Sequence, residues 1–271
     1  EAFVLRAKNK FRRENMKPLV GDLVDFIPGK GEEHGWVEAI HPRKSYCLRP
    51  PVANITQLVI TLAAEPEPDL LLADKLLVFA AHQRIEPLMA VNKADLNQAL
   101  SGGLARVYQP AGIKILAVSA RSGAGLGALR EAMLGHITCF AGQSGVGKST
   151  LIAALTGERL ETGDISRRIR RGKQTTRHIS LIEKNGLQVL DTPGFSLLDL
   201  PGEMPPEDLR QEYPDFAPYA HGCRFAPCLH GREPGCAVSR AADEGLIDRE
   251  RLERYRLLLR QAQENWRERY D

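Results

Sequence analysis

The sequence predicts a multidomain α/β protein: an N-terminal β-barrel, a mainly parallel sheet with helices on both faces, and a C-terminal helical unit that depends on a metal. Three observations predict this. Short alternating apolar segments broken by turn residues fill residues 1–50. Apolar, β-branched runs then alternate with helical patterns. Past residue 200 the chain turns rich in Pro, Gly, Cys and His before a charged final helix. The domain limits read from these changes are 1–52, 53–198 and 199–271.

In order along the chain, "EAFVLRA", "LVGDLVDFIPGKG" and "GWVEAIHPRKSYCL" read as short half-buried strands, with Val20, Leu23, Val24 and Phe26, then Trp36, Val37 and Ile40, as the apolar positions. "RPPVAN" reads as a stiff boundary. "ITQLVITLAA" is a strand covered on both faces. "DLLLADKLLVFAAHQ" has helical spacing, "EPLMAVNK" and "IKILAVSA" are further strands, and "GLGALREAMLG" is a helix ending at Gly135. "HITCFAG" is a strand that leads into a Gly-rich loop and the helix "KSTLIAALTG". "HISLIEKNGLQVLDTPG" is a pair of strands turning at Asn185-Gly186. Residues 243–271 form an amphipathic helix with Leu252, Tyr255, Leu258 and Leu259 on one face.

A length of 271 residues allows more than one core, and 43% hydrophobic with 26% charged residues is ordinary for a globular protein. The net charge of +3 decides little by itself. Clustering says more: Arg6, Lys8, Lys10, Arg12, Arg13 and Lys17 face only Glu1 and Glu14, and "RRIRRGK" at 167–173 holds no acid. Two such runs beside a nucleotide motif favour an RNA or ribosome partner. "LLLADKLLVFAA" is interrupted by Asp74 and Lys75, so no membrane partner is expected. The cysteine count of five is odd, and three cluster with a His, which favours a metal site in a cytoplasmic protein over a disulfide framework. The chain starts at Glu1 and not Met, leaving room for a lost N-terminal segment.

"GQSGVGKST" (142–150) fits the phosphate-loop pattern, with a strand before it and a helix after it. Gly142 and Gly147 permit the tight turn, and the N–H groups of Gly142, Gln143, Ser144, Gly145, Val146, Gly147, Lys148, Ser149 and Thr150 form the phosphate cradle at a helix N-terminus. Lys148 is expected on the β- and γ-phosphates and Ser149 on Mg²⁺. In "DTPG", Asp191 is expected to hold Mg²⁺ through water and Gly194 to donate its N–H to the γ-phosphate. "NKAD" resembles the guanine-reading motif of Ras-like GTPases. Asp95 can accept from both N1–H and N2–H₂ of guanine, and adenine would leave that carboxylate unpaired. Asn92 is expected either on the base or bracing the phosphate loop, and Lys93 over the ring. Ser119-Ala120 fits the segment whose backbone N–H reads guanine O6. The order is therefore base motifs first and phosphate loop second, a rotation of the Ras-like order. The expected substrate and product are therefore GTP and GDP, with Mg²⁺. The rotation also puts the C-terminal exit just after "DTPG", tying the last domain to the element that senses the γ-phosphate.

"CRFAPCLHGREPGC" places Cys223, Cys228, His230 and Cys236 within 14 residues. Three thiolates and one imidazole suit one closed, structural Zn²⁺ site.

With its basic barrel, permuted GTPase order, C-x4-C-x-H-x5-C spacing and terminal helix, the chain resembles the RsgA family (also called YjeQ or YloQ) of ribosome small-subunit-dependent GTPases. "RPPVANITQ", "GQSGVGKST", "DTPGF" and the zinc spacing carry the resemblance, which covers essentially the whole chain. It implies an OB-fold N-terminal domain that binds 16S rRNA, a circularly permuted P-loop GTPase domain, hydrolysis stimulated by the 30S subunit, and a role in late 30S maturation. Nothing in the sequence itself calls for more than a monomer. Family members begin about one strand earlier, so the resemblance implies a barrel lacking its first strand. The family's switch I reads Gly-x-His-Thr-Thr-Thr. Here "GKQTTRH" has Gln174 for the His and Arg177 for the third Thr, leaving Thr176, or else Thr175, for Mg²⁺.

Phe195 stands where Ras-like enzymes place a water-orienting Gln. Slow intrinsic turnover is therefore expected, with a partner ordering switch I for a gain of about 10³–10⁵ in rate. Gln174 is the expected water-orienting residue and His178 the fallback. Two other readings stay open at this level: an RNA-binding module gated by guanine nucleotide with negligible turnover, and a P-loop ATPase or small-molecule kinase, which "NKAD" disfavours.

Overall fold

The computed structural model describes residues 3–13, 16–29, 34–48, 50–158, 179–191, 200 and 204–269. Near the N-terminus, β1 (Leu5–Ala7) is followed by a short helix α1 (Asn9–Arg13), then β2 (Val24–Ile27) and β3 (Gly35–Ile40). These strands form a sheet in the order β1-β3-β2, with β1 parallel and β2 antiparallel to β3. A ribbon of β4 (Tyr46–Leu48) and β5 (Pro51–Ala53) is a separate sheet, linked by a bridge between Val20 and Val52. The strands expected around Val24 and Val37 are present. Among the described residues they pair with each other in the one three-stranded sheet, and β4 and β5 form the separate two-stranded one. "RPPVAN" is also not a plain boundary. Its middle is β5, whose Pro51 takes the first strand position where a missing N–H is tolerated. Val52 and Cys47 pack into the core under the central sheet.

The central sheet is built from β6 (Gln57–Ala63), β7 (Glu86–Asn92), β8 (Lys114–Ala117), β9 (Ile137–Ala141), β10 (Ser180–Lys184) and β11 (Leu187–Asp191). Its order is β10-β11-β9-β6-β7-β8, parallel except for the β10–β11 hairpin. All seven residues of β6 are buried, as its unbroken apolar run requires of a central strand. The two-residue alternation divides the core. Leu58, Ile60 and Leu62, with Met89 and Val91, face α2 (Leu70–His82) and α3 (Ala99–Tyr108). Val59, Leu88, Ala90 and Phe140 face α4 (Leu126–Met133) and α5 (Lys148–Thr156).

The C-terminal region holds single-turn helices, among them α6 (Ala217–Ala220), then α7 (Ala237–Asp243) and α8 (Arg249–Arg267). Leu252, Tyr255, Leu258 and Leu259 are buried on α8 as predicted, with Tyr213, Phe216, Val238 and Ala241. The helix begins six residues later than residue 243. Gly245 sits at φ +76°, and Asp248 then caps α8 by accepting from the Arg251 N–H at 2.7 Å. The same core includes Val78 of α2, so α2 is covered on two sides. That explains its nearly all-round apolar composition.

Candidate nucleotide-binding site

Four loops converge at the carboxyl ends of β6, β7, β8 and β9, the position where open α/β sheets bind ligands. The loop after β9 is the phosphate loop. Gly142 has φ +134°, and a Cβ there would lie 2.2 Å from the Thr61 carbonyl oxygen on the adjacent strand. Gly147 has φ +91°, and its Cβ would lie 2.5 Å from Asn92 Nδ2. Both positions therefore require glycine, and the second does so because Asn92 is there. The Lys148 ammonium folds back onto the carbonyls of Gly142 (2.6 Å) and Gln143 (2.9 Å). Burial draws its pKa below the ordinary lysine value. Ser149, half-buried, is the second residue of α5.

Asn92 ends β7 at 2% exposure. Its Nδ2 donates to the Val146 carbonyl at 2.8 Å, and its Oδ1 accepts from the Ala120 N–H at 3.1 Å. Of the two roles the sequence leaves open, this geometry is the brace. One side chain ties the phosphate loop to the segment after β8. Within the Ser119-Ala120 segment expected to read the base, the N–H of Ala120 is engaged by Asn92. Lys93, at φ +57°, donates to the carbonyls of Glu65 (2.5 Å) and Gly145 (3.0 Å), which holds its chain across the loop. Asp95 is exposed. The Ser119 hydroxyl, its own backbone N–H and nearby Arg121 hold its carboxyl below the usual carboxylate range, so it remains an ionised acceptor. Ser119 is buried, and its Oγ also accepts from the Ser122 N–H at 3.2 Å.

Sequence reasoning missed the loop after β6. Residues 64–69 form a strap over the phosphate loop. Gln143 Oε1 accepts from the Asp69 N–H at 2.7 Å, and its Nε2 donates to the Glu67 carbonyl at 2.9 Å. The Gln143 side chain is thus turned to the strap, leaving its backbone to the cradle. Asp191 closes β11. Its side chain, together with Gly194, Phe195, Gln174, Thr175, Thr176, Arg177, His178 and the run at 167–173, lies outside the described residues.

The metal-ligating set is assembled. The donor atoms of Cys223, Cys228, His230 and Cys236 lie within 4.8 Å of one another. His230 Nδ1 is 3.5 Å from Cys236 Sγ and 3.7 Å from Cys223 Sγ. A Zn²⁺ tetrahedron with ordinary Zn–S and Zn–N bonds has S···N edges of about 3.6 Å, so the donors fit that ion. The Ala237 N–H donates to Cys223 Sγ (3.3 Å) and the Ser239 N–H to Cys236 Sγ (3.4 Å), contacts that favour thiolates. Burial lowers the pKa of His230 and keeps it in the neutral, ligating form.

Against the helix side of the sheet, Asp74 of α2 is fully buried. It pairs with Arg251 Nη1 through Oδ1 and with Arg254 Nε through Oδ2, both at 2.6 Å. Arg251 also takes Asp215 at 2.7 and 3.1 Å and lies between the rings of Tyr108 and Tyr213. A signal for this joint was available. Arg251 stands on the same helical stripe as Tyr255, Leu258 and Leu259, and Asp74 interrupts an apolar run.

The family model described as RsgA GTPase matches residues 40–201. A small ribosomal subunit biogenesis GTPase RsgA of Caldanaerobacter subterraneus subsp. tengcongensis is 41% identical, over 98% of this chain and 90% of its own. The protein of the same description from Ruminiclostridium cellulolyticum is 42% identical, over 94% and 85%. The crystal structure of YjeQ from Thermotoga maritima aligns with a TM-score of 0.78 at 31% identity, over 97% of this chain and 90% of that one. YloQ, described as a circularly permuted GTPase, aligns with a TM-score of 0.75 at 28% identity, over 96% and 86%.

Proposed function

This chain belongs to the RsgA GTPase family, and from that membership we propose that it is a GTPase of small ribosomal subunit biogenesis, hydrolysing GTP to GDP and phosphate. The observation that carries the reading is the Asn92 brace. It draws "NKAD", Ser119-Ala120 and the phosphate loop into one site despite their rotated order in the chain.

In this reading the ionised Asp95 accepts from the guanine edge and Lys93 covers the ring. The N–H groups of the loop and the Lys148 ammonium bind phosphate oxygens. Ser149 and Thr176, with Asp191 through water, would hold Mg²⁺, which would supply positive charge opposite the transferred phosphoryl group. Ser149 supplies the hard oxygen donor such an ion requires. Gly194 donates its N–H to the γ-phosphate, and Gln174 orients the attacking water. One structural Zn²⁺ is held by Cys223, Cys228, His230 and Cys236.

The domains are 1–52, 53–198 and 199–271, the first an OB-fold that contacts 16S rRNA on the 30S subunit. In support, Phe26 and Trp36 are exposed on a segment that also carries Arg6, Lys8, Lys10, Arg13 and Lys17. Aromatic faces among cations bind RNA bases and phosphates. The protein acts as a cytoplasmic monomer, and no helix among the described residues is long and apolar enough to cross a membrane.

Steady-state GTP hydrolysis with and without 30S subunits, with 50S as control and ATP as competitor, tests the reading. A large rise with 30S alone is expected, with ATP failing to compete. Bound guanine nucleotide with no rise would leave a nucleotide-gated RNA-binding module. In the same assay Gln174→Ala is expected to lower stimulated turnover, and unchanged turnover removes Gln174 from its role.

A further inference from the structure

The sequence ties the C-terminal unit to the nucleotide site only through the exit after "DTPG". The described residues contain a second route. Gln143 of the phosphate loop holds the strap by two hydrogen bonds, to Asp69 and to Glu67. Lys93 of the base motif bonds Glu65 in the same strap. Asp69 is the N-cap of α2, accepting from the Leu72 N–H at 2.9 Å. Asp74 lies little more than one turn further on and is clamped by Arg251 and Arg254 of α8.

We propose that this first turn of α2 is the link by which the C-terminal unit positions the phosphate loop, with Arg254 and Gln143 as positioning residues at its two ends. The stiffness of the parts points this way. Separating a fully buried carboxylate from its two guanidiniums exposes an uncompensated charge, so the joint at Asp74 resists opening. The strap is held by the two neutral hydrogen bonds of Gln143 and by one from the Lys93 ammonium to a carbonyl, none of them a buried ion pair, so it yields first. A shift of α8 therefore carries α2 with it and is absorbed at the strap, where it alters the order of the phosphate loop. The relation is reciprocal: nucleotide in the loop steadies α8 by the same free energy with which a seated α8 favours nucleotide.

The link rests on the reading that residues 142–150 hold the nucleotide, so GDP affinity of the unmodified protein is measured first. Absence of GDP binding there defeats that reading and not this one. Arg254→Met keeps the aliphatic stem and touches no part of the nucleotide site. It is expected to raise the GDP Kd about fivefold, a typical coupling magnitude, and to leave turnover at saturating GTP unchanged. Arg254→Lys is expected to restore part of the affinity. Gln143→Ala weakens binding as well, and the double variant is expected to be no weaker than the worse single one. Sites this far apart with no shared partner otherwise add. Additive losses, or an unchanged Kd in a folded Arg254→Met protein, overturn the link. Hydrogen exchange on the unmodified protein covers the case in which that variant fails to fold. GDP is expected to protect amides in the first turns of both α2 and α8, and protection confined to the phosphate loop overturns the proposal.

Discussion

Asn92 shows how much one side chain carries here. A side-chain amide offers a donor and an acceptor on one short rigid plane, and both are used, on Val146 and Ala120. Asn92→Ala leaves a buried carbonyl and an N–H without partners, which costs about 1–3 kcal/mol, and it opens the space against which Gly147 is fitted. The expected result is a lower melting temperature together with weaker GDP binding. Thermal unfolding and a fluorescent-GDP titration read the two, and retention of both would mean that the brace is dispensable. The motif was legible because its residue types are fixed by hydrogen-bond chemistry. Which of its two roles Asn92 plays was not legible, because that depends on loops brought in from other strands. Gln143 was still less readable. It occupies a free position of the phosphate-loop pattern, and its partners Glu67 and Asp69 are distant in sequence.

Elements with strong periodicity or an unbroken apolar run, such as β6, β7, β9 and α2, stand where the sequence placed them. The elements it missed have physical reasons. Helix α3 carries Gly102 and Gly103 at its centre, and glycine is the worst interior helix former after proline. The helix forms because Leu104 and Tyr108 are buried under it, a tertiary gain that local propensity does not contain. A Cβ at Gly102 would meet nothing within 4 Å, and the residue is exposed with no positive φ. Gly102→Ala is therefore expected to stabilise the protein by about 0.5–1 kcal/mol, chiefly by removing backbone freedom from the unfolded chain. Urea denaturation measures this. A stability loss would mean that α3 is held in a geometry an ordinary residue resists. Helix α7 was missed for a different reason. It is a short helix that begins at a metal-ligating residue, Cys236, whose Sγ caps it through the Ser239 N–H.

At the scale of the whole molecule, α2 is common property. One side closes the core over the central sheet. The other presents Val78 and Asp74 to the C-terminal unit, where Arg251 joins Asp74 to Asp215. A C-terminal region with few periodic apolar residues thus borrows part of its core from the neighbouring domain and takes the rest of its order from the metal set. Two buried carboxylates share Arg251, so Arg251→Met strands Asp215 and leaves Asp74 with Arg254 alone, and it is expected to cost about 3–5 kcal/mol. Chelation of Zn²⁺ attacks the same unit from its other end, where Cys228, His230 and Cys236 are buried beside Phe216 and Tyr255. If α2 is shared in the way these contacts require, the nucleotide domain cannot stay indifferent to either change. Calorimetry of the full chain is expected to give one transition, lowered both by chelator and by Arg251→Met, and raised by GDP even in the variant. Two transitions, with the GDP-sensitive one unmoved by chelator, would instead describe independent units that merely touch at α2.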